Sequence, residues 1–183
     1  MKTLIIGGAS SGKSEYGEEL VCSLNPKHYY IATMIPFDEE DNQRINNHKM
    51  RRINRGFITL EIPYNISNIN VSDGAIFIDS LTSLVLNEMY QFEQDKKIVD
   101  YQNELFNELI DKIIDDFTKL FKKYQDIVII SDDIFSNIES INDSFTAYTK
   151  TYLYVLGNLH QKLAKMCDEV IRIQGTLVKK IKG

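Results

Sequence analysis

An octet near the N-terminus carries the clearest chemistry of the chain: Gly7-Gly8-Ala9-Ser10-Ser11-Gly12-Lys13-Ser14. It satisfies the pattern G-x-x-x-x-G-K-[ST], in which small residues let successive backbone N–H groups curl around phosphate oxygens. Lys13 is expected to reach the β- and γ-phosphates of a nucleoside triphosphate, and the Ser14 hydroxyl to ligate Mg²⁺. A glycine-rich turn from strand to helix that binds no ligand is the alternative interpretation.

A carboxylate that completes the magnesium site is expected where a strand ends. Asp79 follows the apolar run from Ala75 to Ile78, and Asp132 and Asp133 follow the run from Ile127 to Ile130. Strand-terminal aspartates also cap the helix that follows them. Spacing alone leaves both the choice of carboxylate and the capping alternative open.

The polar segment from Asp38 to Arg55 has acidic residues at its start and basic residues at its end, which favours a helix that projects over an open site. Residues four apart share a helix face, so Arg44, His48 and Arg52 align. Flanking cations disfavour imidazolium, and a neutral imidazole is a nucleophile. A solvated charged face with an incidental histidine is the alternative, and spacing alone favours it.

The elements that must position these residues alternate between strand and helix. Apolar runs predict strands at Leu4 to Ile6, Tyr29 to Ala32, Ala75 to Ile78, Asp126 to Ile130 and Glu169 to Ile173. Helical patterns follow the octet and run from Leu81 to Gln94, Tyr101 to Tyr124 and Ser144 to Cys167. This order predicts an α/β fold of the P-loop NTPase class, with one doubly wound, mostly parallel sheet and helices on both faces. The tail from Gly175 to Ile181 can add an antiparallel edge hairpin, and residues 1–183 are expected to form a single domain.

Composition narrows the class of partner. The formal net charge is −5 and the pI is about 5.3, which disfavours a nucleic-acid partner and favours small-molecule substrates. Cys22 and Cys167 match neither a zinc site nor a redox pair, which indicates reduced thiols in the cytoplasm. No apolar run of membrane-spanning length occurs, so no membrane span is expected.

Further motifs follow the octet in order, and together they resemble one family. They are Ile31-Ala32-Thr33, Arg44-Ile45-Asn46-Asn47-His48-Lys49, Glu61-Ile62-Pro63, Asp79-Ser80-Leu81-Thr82-Ser83 with Asn87, Gly157 with Gln161, and Cys167-Asp168-Glu169-Val170. With these motifs and the tail that ends at Lys182, the chain resembles the bifunctional adenosylcobinamide kinase / adenosylcobinamide-phosphate guanylyltransferase family of cobalamin biosynthesis. The likeness spans almost the whole chain.

The resemblance implies two activities at one nucleotide site. The first transfers the γ-phosphate of ATP or GTP to the hydroxyl of adenosylcobinamide, and the second transfers GMP from GTP to adenosylcobinamide phosphate through a guanylyl-histidine. The resemblance places that histidine at His48 and implies a homo-oligomer, a trimer in the family. It also implies nucleotide contacts at the octet, Ala32, Thr33, Lys49, Arg51, Arg52, Glu61 and Asp79. For Mg²⁺, the expected ligands are Ser14 of the octet and, among the strand-end carboxylates, Asp79.

The departures from the family pattern lie in the half of the chain expected to face the acceptor. Where the family shows Asn-Glu-Val-Gly, this chain reads Asp132-Asp133-Ile134-Phe135, and an Arg-Asp pair is replaced by Leu153 and Tyr154. His160 stands at a family asparagine, in a predicted helix with no evident carboxylate partner. Two alternatives therefore stay open: a diverged kinase or nucleotidyltransferase that acts on another small acceptor, and a nucleotide-sensing protein without turnover.

Overall fold

The structure is a computed structural model that describes residues 1–36, 52–53, 55–98, 101–136, 145–175 and 177–183. Within these ranges seven strands form one sheet: β1 (Lys2–Gly7), β2 (His28–Ala32), β3 (Ile58–Glu61), β4 (Ala75–Asp79), β5 (Ile127–Asp132), β6 (Glu169–Gln174) and β7 (Leu177–Lys182). Their order is β3-β2-β4-β5-β1-β6-β7. The β6–β7 pair is antiparallel, and the other neighbouring pairs are parallel. The predicted α/β fold and its antiparallel edge hairpin are confirmed.

Helices cover both faces of the sheet: α1 (Lys13–Leu24), α2 (Leu81–Lys96), α3 (Asn107–Lys123) and α4 (Ala147–Met166). Alternate residues of a strand face opposite sides, so the central strands supply two cores. Ile5, Phe77 and Val128 pack with Val21 of α1 on one face. Leu4, Ile78 and Ile129 lie in the core that α2, α3 and α4 cover on the other face. With helices on both faces, the carboxyl edge of the sheet is the place where strand ends and helix starts meet.

Local signals set the ends of two helices that border this edge. The Ser80 side chain accepts from the backbone N–H of Ser83 and caps α2, and Thr146 caps α4 through Thr149 in the same way. At the far end of α4, the Lys182 ammonium donates to the backbone carbonyls of Ala164, Lys165 and Cys167. A side chain of β7 thereby satisfies carbonyls that the helix itself leaves unpaired.

Two elements differ from the sequence prediction. The strand β3 was not predicted, because it has only four residues at the sheet edge and Ile58 and Glu61 are exposed, so its apolar signal is short. The helix predicted from Tyr101 opens as a short 3₁₀ helix over Asn103–Phe106 before α3 begins. The helix predicted from Asp38 to Arg55 lies outside the described residues apart from Arg52, Ile53 and Arg55.

None of the helices within the described ranges is long and apolar enough to cross a membrane.

Candidate active site

The loop between β1 and α1 requires glycine at two positions. A Cβ at Gly7 would lie 2.5 Å from the Ser11 Oγ and 2.9 Å from the backbone oxygen of Ile173. Gly12 has φ +84°, a left-handed conformation that favours glycine, and α1 begins immediately after it. The chain therefore turns sharply from strand to helix, and the N-terminus of α1 opens at the carboxyl edge of the sheet, where it favours an anion.

The ammonium of Lys13 is held inside this turn. Its Nζ donates to the Gly8 backbone oxygen at 3.2 Å and lies 2.7 Å from the Asp132 Oδ1. The second oxygen of Asp132 accepts from the Thr82 hydroxyl at 2.7 Å. Asp132, one of the carboxylates considered for magnesium, is thus the partner of Lys13. The ion pair has no net charge, and it holds the Lys13 ammonium at the mouth of the loop.

A chain of hydroxyl groups joins this pair to the neighbouring strand ends. The Ser80 Oγ lies 2.8 Å from the Thr82 Oγ1, and the Ser80 N–H donates to the Thr33 Oγ1 at 2.7 Å. The Asn87 amide then donates to the backbone oxygens of Thr33 and Pro63. Sequence patterns did not single out Thr82, although it lies in a motif quoted for the resemblance. A largely buried hydrogen-bond network therefore connects the ends of β2, β4 and β5.

Three of the sequence-predicted nucleotide contacts stand side by side at this edge. Ala32 pairs with Glu61 on one neighbouring strand and with Asp79 on the other. From β3 to β1 there are four interstrand spacings, which is about 19 Å. Glu61 lies at one end of this row and the loop before Lys13 at the other. The row is long enough for a nucleotide with its base toward Glu61 and its phosphates at the loop.

The packing of α1 on β4 decides whether Ser14 and Asp79 can bind the same Mg²⁺ ion. A Cβ at Gly17 would lie 2.5 Å from the Phe77 ring, so α1 lies directly on β4 at this point. Ser14 is one turn before Gly17, about 4.5 Å along the helix, and Asp79 is two residues after Phe77, about 6.6 Å along the strand on the same face. Because α1 runs back along the sheet, these steps bring the Ser14 hydroxyl and the Asp79 carboxylate to a similar height. Two oxygen ligands, with water and phosphate for the rest, suit Mg²⁺.

The capping alternative for the strand-end aspartates is wrong for Asp79, because Ser80 caps α2. The carboxylate of Asp79 instead accepts from the Tyr30 hydroxyl at 2.5 Å. Asp133 forms an ion pair with Arg172 at 2.8 Å. Burial raises the pKa of Asp133, but the hydrogen bonds from Ser136 and the charge of Arg172 lower it by more. The pKa of Asp133 therefore lies below its usual value. Of the three candidate carboxylates, Asp79 is the one that the packing of α1 on β4 brings to the height of Ser14.

Two arginines anchor the segment that follows His48. The Arg52 guanidinium is buried and lies over the Tyr30 ring, 3.4 Å from its centroid. Arg55 donates to the buried Glu18 carboxylate of α1 at 3.0 Å. The predicted site residues His48, Lys49 and Arg51 lie outside the described residues, so their roles stay predictions.

The residues that depart from the family pattern do not all lie in one environment. The Phe135 ring packs edge-on against the His160 ring with centroids 5.8 Å apart, and a Cβ at Gly157 would lie 3.4 Å from Phe135. Leu153 is a buried residue of α4, whereas the Tyr154 hydroxyl donates to Asn107. The two rings thus form one altered surface next to Asp132, while Leu153 serves packing.

His160 is held neutral in this surface. Its Nε2 lies 2.7 Å from the Ser131 Oγ, a partner that the sequence pattern did not reveal. Burial lowers the pKa of His160 to about 4, although the Asp133 and Asp132 charges oppose that shift. Below its ordinary value of about 6.5, an unfolded histidine binds a proton that folded His160 does not.

Replacing His160 with asparagine is expected to change the pH dependence of stability. The free energy of unfolding of the native chain should fall as the pH drops from about 6.5 toward 4, with His160 contributing up to about 1.4 kcal/mol per pH unit. The variant should lack this contribution. Urea unfolding of both proteins across this range measures it, and parallel stability curves would contradict the buried neutral imidazole.

Comparison with known proteins gives a consistent result. The family model described as cobinamide kinase / cobinamide phosphate guanyltransferase matches residues 3–180. Two similar proteins, each named a bifunctional adenosylcobalamin biosynthesis protein, come from Salmonella typhimurium and Pseudomonas aeruginosa. Each is 26% identical to this chain and covers 100% of it; the alignments span 100% and 98% of those proteins, respectively. An Escherichia coli protein of the same description is 24% identical with 100% coverage of both chains.

Proposed function

Because the chain belongs to the cobinamide kinase / cobinamide phosphate guanyltransferase family, we propose that it carries out both reactions at the edge that holds Lys13. It phosphorylates adenosylcobinamide with a nucleoside triphosphate, and it transfers GMP from GTP to adenosylcobinamide phosphate to give adenosylcobinamide-GDP. The observation that carries the proposal is the Lys13 ammonium, held at the Gly8 carbonyl and Asp132 where the loop and the N-terminus of α1 converge. That arrangement suits the phosphates of a nucleotide.

In the kinase step, the acceptor hydroxyl attacks the γ-phosphorus and the nucleoside diphosphate leaves. Lys13 leaves Asp132 for the phosphate oxygens and offsets their charge, and the backbone N–H groups of residues 8–14 orient the chain of phosphates. Mg²⁺ held by Ser14 and Asp79 supplies further charge neutralisation on the phosphates when it is bound. The kinase step therefore depends on the phosphate loop and needs no histidine.

In the guanylyl transfer step, an imidazole nitrogen of His48 attacks the α-phosphorus of GTP. A P–N bond forms, the bond to the pyrophosphate oxygen breaks, and an oxygen of adenosylcobinamide phosphate then displaces the histidine. Lys49, Arg51 and Arg52 are proposed to neutralise the phosphate during these steps. The buried position of Arg52 over the Tyr30 ring supports this, because Cα atoms four residues apart are at most about 14 Å from each other.

Selection of GTP over ATP is proposed to depend on Glu61, at the end of the strand row that lies opposite the loop before Lys13. Glu61 is exposed at the end of β3, in register with Ala32. A carboxylate there can accept from the N1–H and N2–H₂ groups of guanine, which adenine does not present in that arrangement. Ala32 lies between Glu61 and Asp79 in the sheet.

We also infer a cytoplasmic homo-oligomer, a trimer by resemblance to the family. Exposed apolar side chains on α2 support an interface, since Leu86 and Tyr90 lie four residues apart and share a face. Light scattering of the purified protein at several concentrations tests the assembly.

One observation favours a second candidate function, in which the enzyme acts on a different acceptor. Phe135 and His160 form an altered surface next to Asp132, so a diverged enzyme that uses another small acceptor is the alternative. We expect purified protein to bind GTP normally but to use adenosylcobinamide with a reduced kcat/KM, because each lost polar contact costs about 1–3 kcal/mol.

The proposed function is tested by supplying adenosylcobinamide with ATP, GTP and Mg²⁺ and identifying the products by mass spectrometry over many turnovers. Adenosylcobinamide-GDP beyond one equivalent of enzyme supports the proposal. GTP consumption that requires a different acceptor supports the diverged enzyme, and tight GTP binding without any turnover supports the sensing protein. A Phe135→Gly, His160→Asn double variant that raises kcat/KM for adenosylcobinamide identifies those rings as the cause of a weak acceptor reaction.

A further inference from the structure

Tyr30 connects two parts of the site that the proposed function treats separately. It is the third residue of β2, and its side chain is 5% exposed on the sheet face covered by α1. Tyr30 pairs with Phe77 of β4, and Asp79 follows two residues later on the same face. The phenol therefore reaches along the sheet to the Asp79 Oδ2, with an O–O distance of 2.5 Å.

The ring of Tyr30 is fixed from several sides. The Arg52 guanidinium covers one face at 3.4 Å from the centroid, and the Phe57 and Phe77 rings pack at 6.3 and 5.5 Å between centroids. A hydroxyl on such a ring has little freedom to move away from its acceptor. The Asp79 carboxylate thus has a donor with a set position.

The Arg52 charge acts on the same hydrogen bond. A guanidinium over an aromatic face is attracted to the ring electrons and makes the phenol a stronger donor. Burial lowers the pKa of Arg52, while the Asp79 and Glu18 carboxylates raise it. The Arg52 guanidinium, the Tyr30 ring and the Asp79 carboxylate therefore contact one another in turn.

We propose that Tyr30 is a positioning residue, whose hydroxyl orients the Asp79 carboxylate toward the metal-bound nucleotide and whose ring is itself held in place by Arg52. This inference rests on the proposed function only in taking Asp79 as the metal ligand. Hydrogen bonds to a ligating carboxylate commonly change metal affinity or activity by about 10- to 100-fold when they are removed.

If Tyr30 had a purely structural role, its substitution would weaken nucleotide binding equally with and without Mg²⁺. Tyr29 provides a matched control. Tyr30→Phe keeps the ring under Arg52 and against Phe57 and Phe77 but removes the hydroxyl. Tyr29→Phe removes a comparable hydroxyl from the same strand, one that lies 2.7 Å from the Ser72 Oγ on the opposite sheet face. The two variants lose one hydroxyl each, and Tyr30→Phe alone removes the contact to Asp79.

The test measures equilibrium binding of a fluorescent GTP analogue while Mg²⁺ is titrated, with no acceptor present. For Tyr30→Phe, we expect binding in EDTA to match the native protein and the Mg²⁺ concentration for half-maximal enhancement to rise about 10- to 100-fold. Tyr29→Phe should behave as the native protein does, and Asp79→Asn should lose the enhancement.

Three results would overturn the inference, and they are distinguishable. A Tyr30→Phe titration that overlays the native curve shows that the hydroxyl does not position the ligand. Equal weakening with and without Mg²⁺ shows a structural role. If native protein shows no Mg²⁺ enhancement, or Asp79→Asn retains it, the metal assignment within the proposed function fails first.

Discussion

Lys13→Ala is expected to lower the affinity for GTP by about 100-fold or more and to abolish both activities. Each charge-assisted hydrogen bond to a phosphate contributes about 1.5–3 kcal/mol, and Lys13 is expected to contact two phosphates. The fold should survive, because Thr82 remains a partner of Asp132 and the Asp132 side chain is 38% exposed to water. Isothermal titration with GTP and thermal unfolding of the variant measure the two effects.

The Asp132 carboxylate has to be controlled for, because it would face the phosphates without its cation. The double variant Lys13→Ala, Asp132→Asn removes both charges. If the double variant binds GTP as weakly as Lys13→Ala, the loss comes from the missing ammonium. Lys96→Ala is the matched surface control, since Lys96 is half exposed and its ammonium contacts the exposed Glu108 and the Phe92 ring. If the affinity of Lys13→Ala for GTP stays within about threefold of that of the native protein, Lys13 does not bind the phosphates at the loop.

The fold was predictable from the sequence because buried parallel strands give short, continuous apolar runs that end in small or acidic residues. The runs at Ala75 and Ile127 met that rule and were confirmed as β4 and β5. The strand β3 did not, because an edge strand with two exposed positions lacks such a run. The parallel register places Glu61, Ala32 and Asp79 next to one another. No local sequence pattern predicts this, because the three residues lie on different strands.

The site was predictable only where one short motif carries the geometry. The octet fixed the place of the turn from β1 to α1, where a close contact requires glycine at Gly7 and a left-handed φ favours it at Gly12. The partners of the functional groups were not predictable, because they come from distant segments. Asp132 reaches Lys13 across neighbouring strands, and Tyr30 reaches Asp79 across another strand pair. Choosing among Asp79, Asp132 and Asp133 needed those contacts.

The assignment of the covalent nucleophile gains support from the other histidines. The chain has three histidines, and the structure describes His28 and His160. His28 is buried, and its ring nitrogens lie 3.2 and 2.8 Å from the backbone oxygens of Asn25 and Arg55. His160 is directed to Ser131 at 2.7 Å. Both ring nitrogens of His28 and the Nε2 of His160 thus have partners within the fold, so an adduct on histidine is expected at His48.

His48→Ala is expected to eliminate covalent labelling of the protein by α-labelled GTP while leaving γ-phosphoryl transfer to adenosylcobinamide within a few-fold of native. The guanylyl transfer step needs an imidazole nitrogen on the α-phosphorus, whereas the kinase step proceeds by direct attack of the acceptor hydroxyl. Native label should survive alkali and be released by acid, as expected for phosphorus on a histidine nitrogen. His160→Asn is the matched control and should label as native protein does. Tryptic mapping at neutral pH should place the adduct on the peptide of residues 45–49, which contains no other histidine. If native protein forms no adduct, or if His48→Ala labels as strongly as native, the guanylyl-histidine is wrong and the kinase or sensing alternative takes its place.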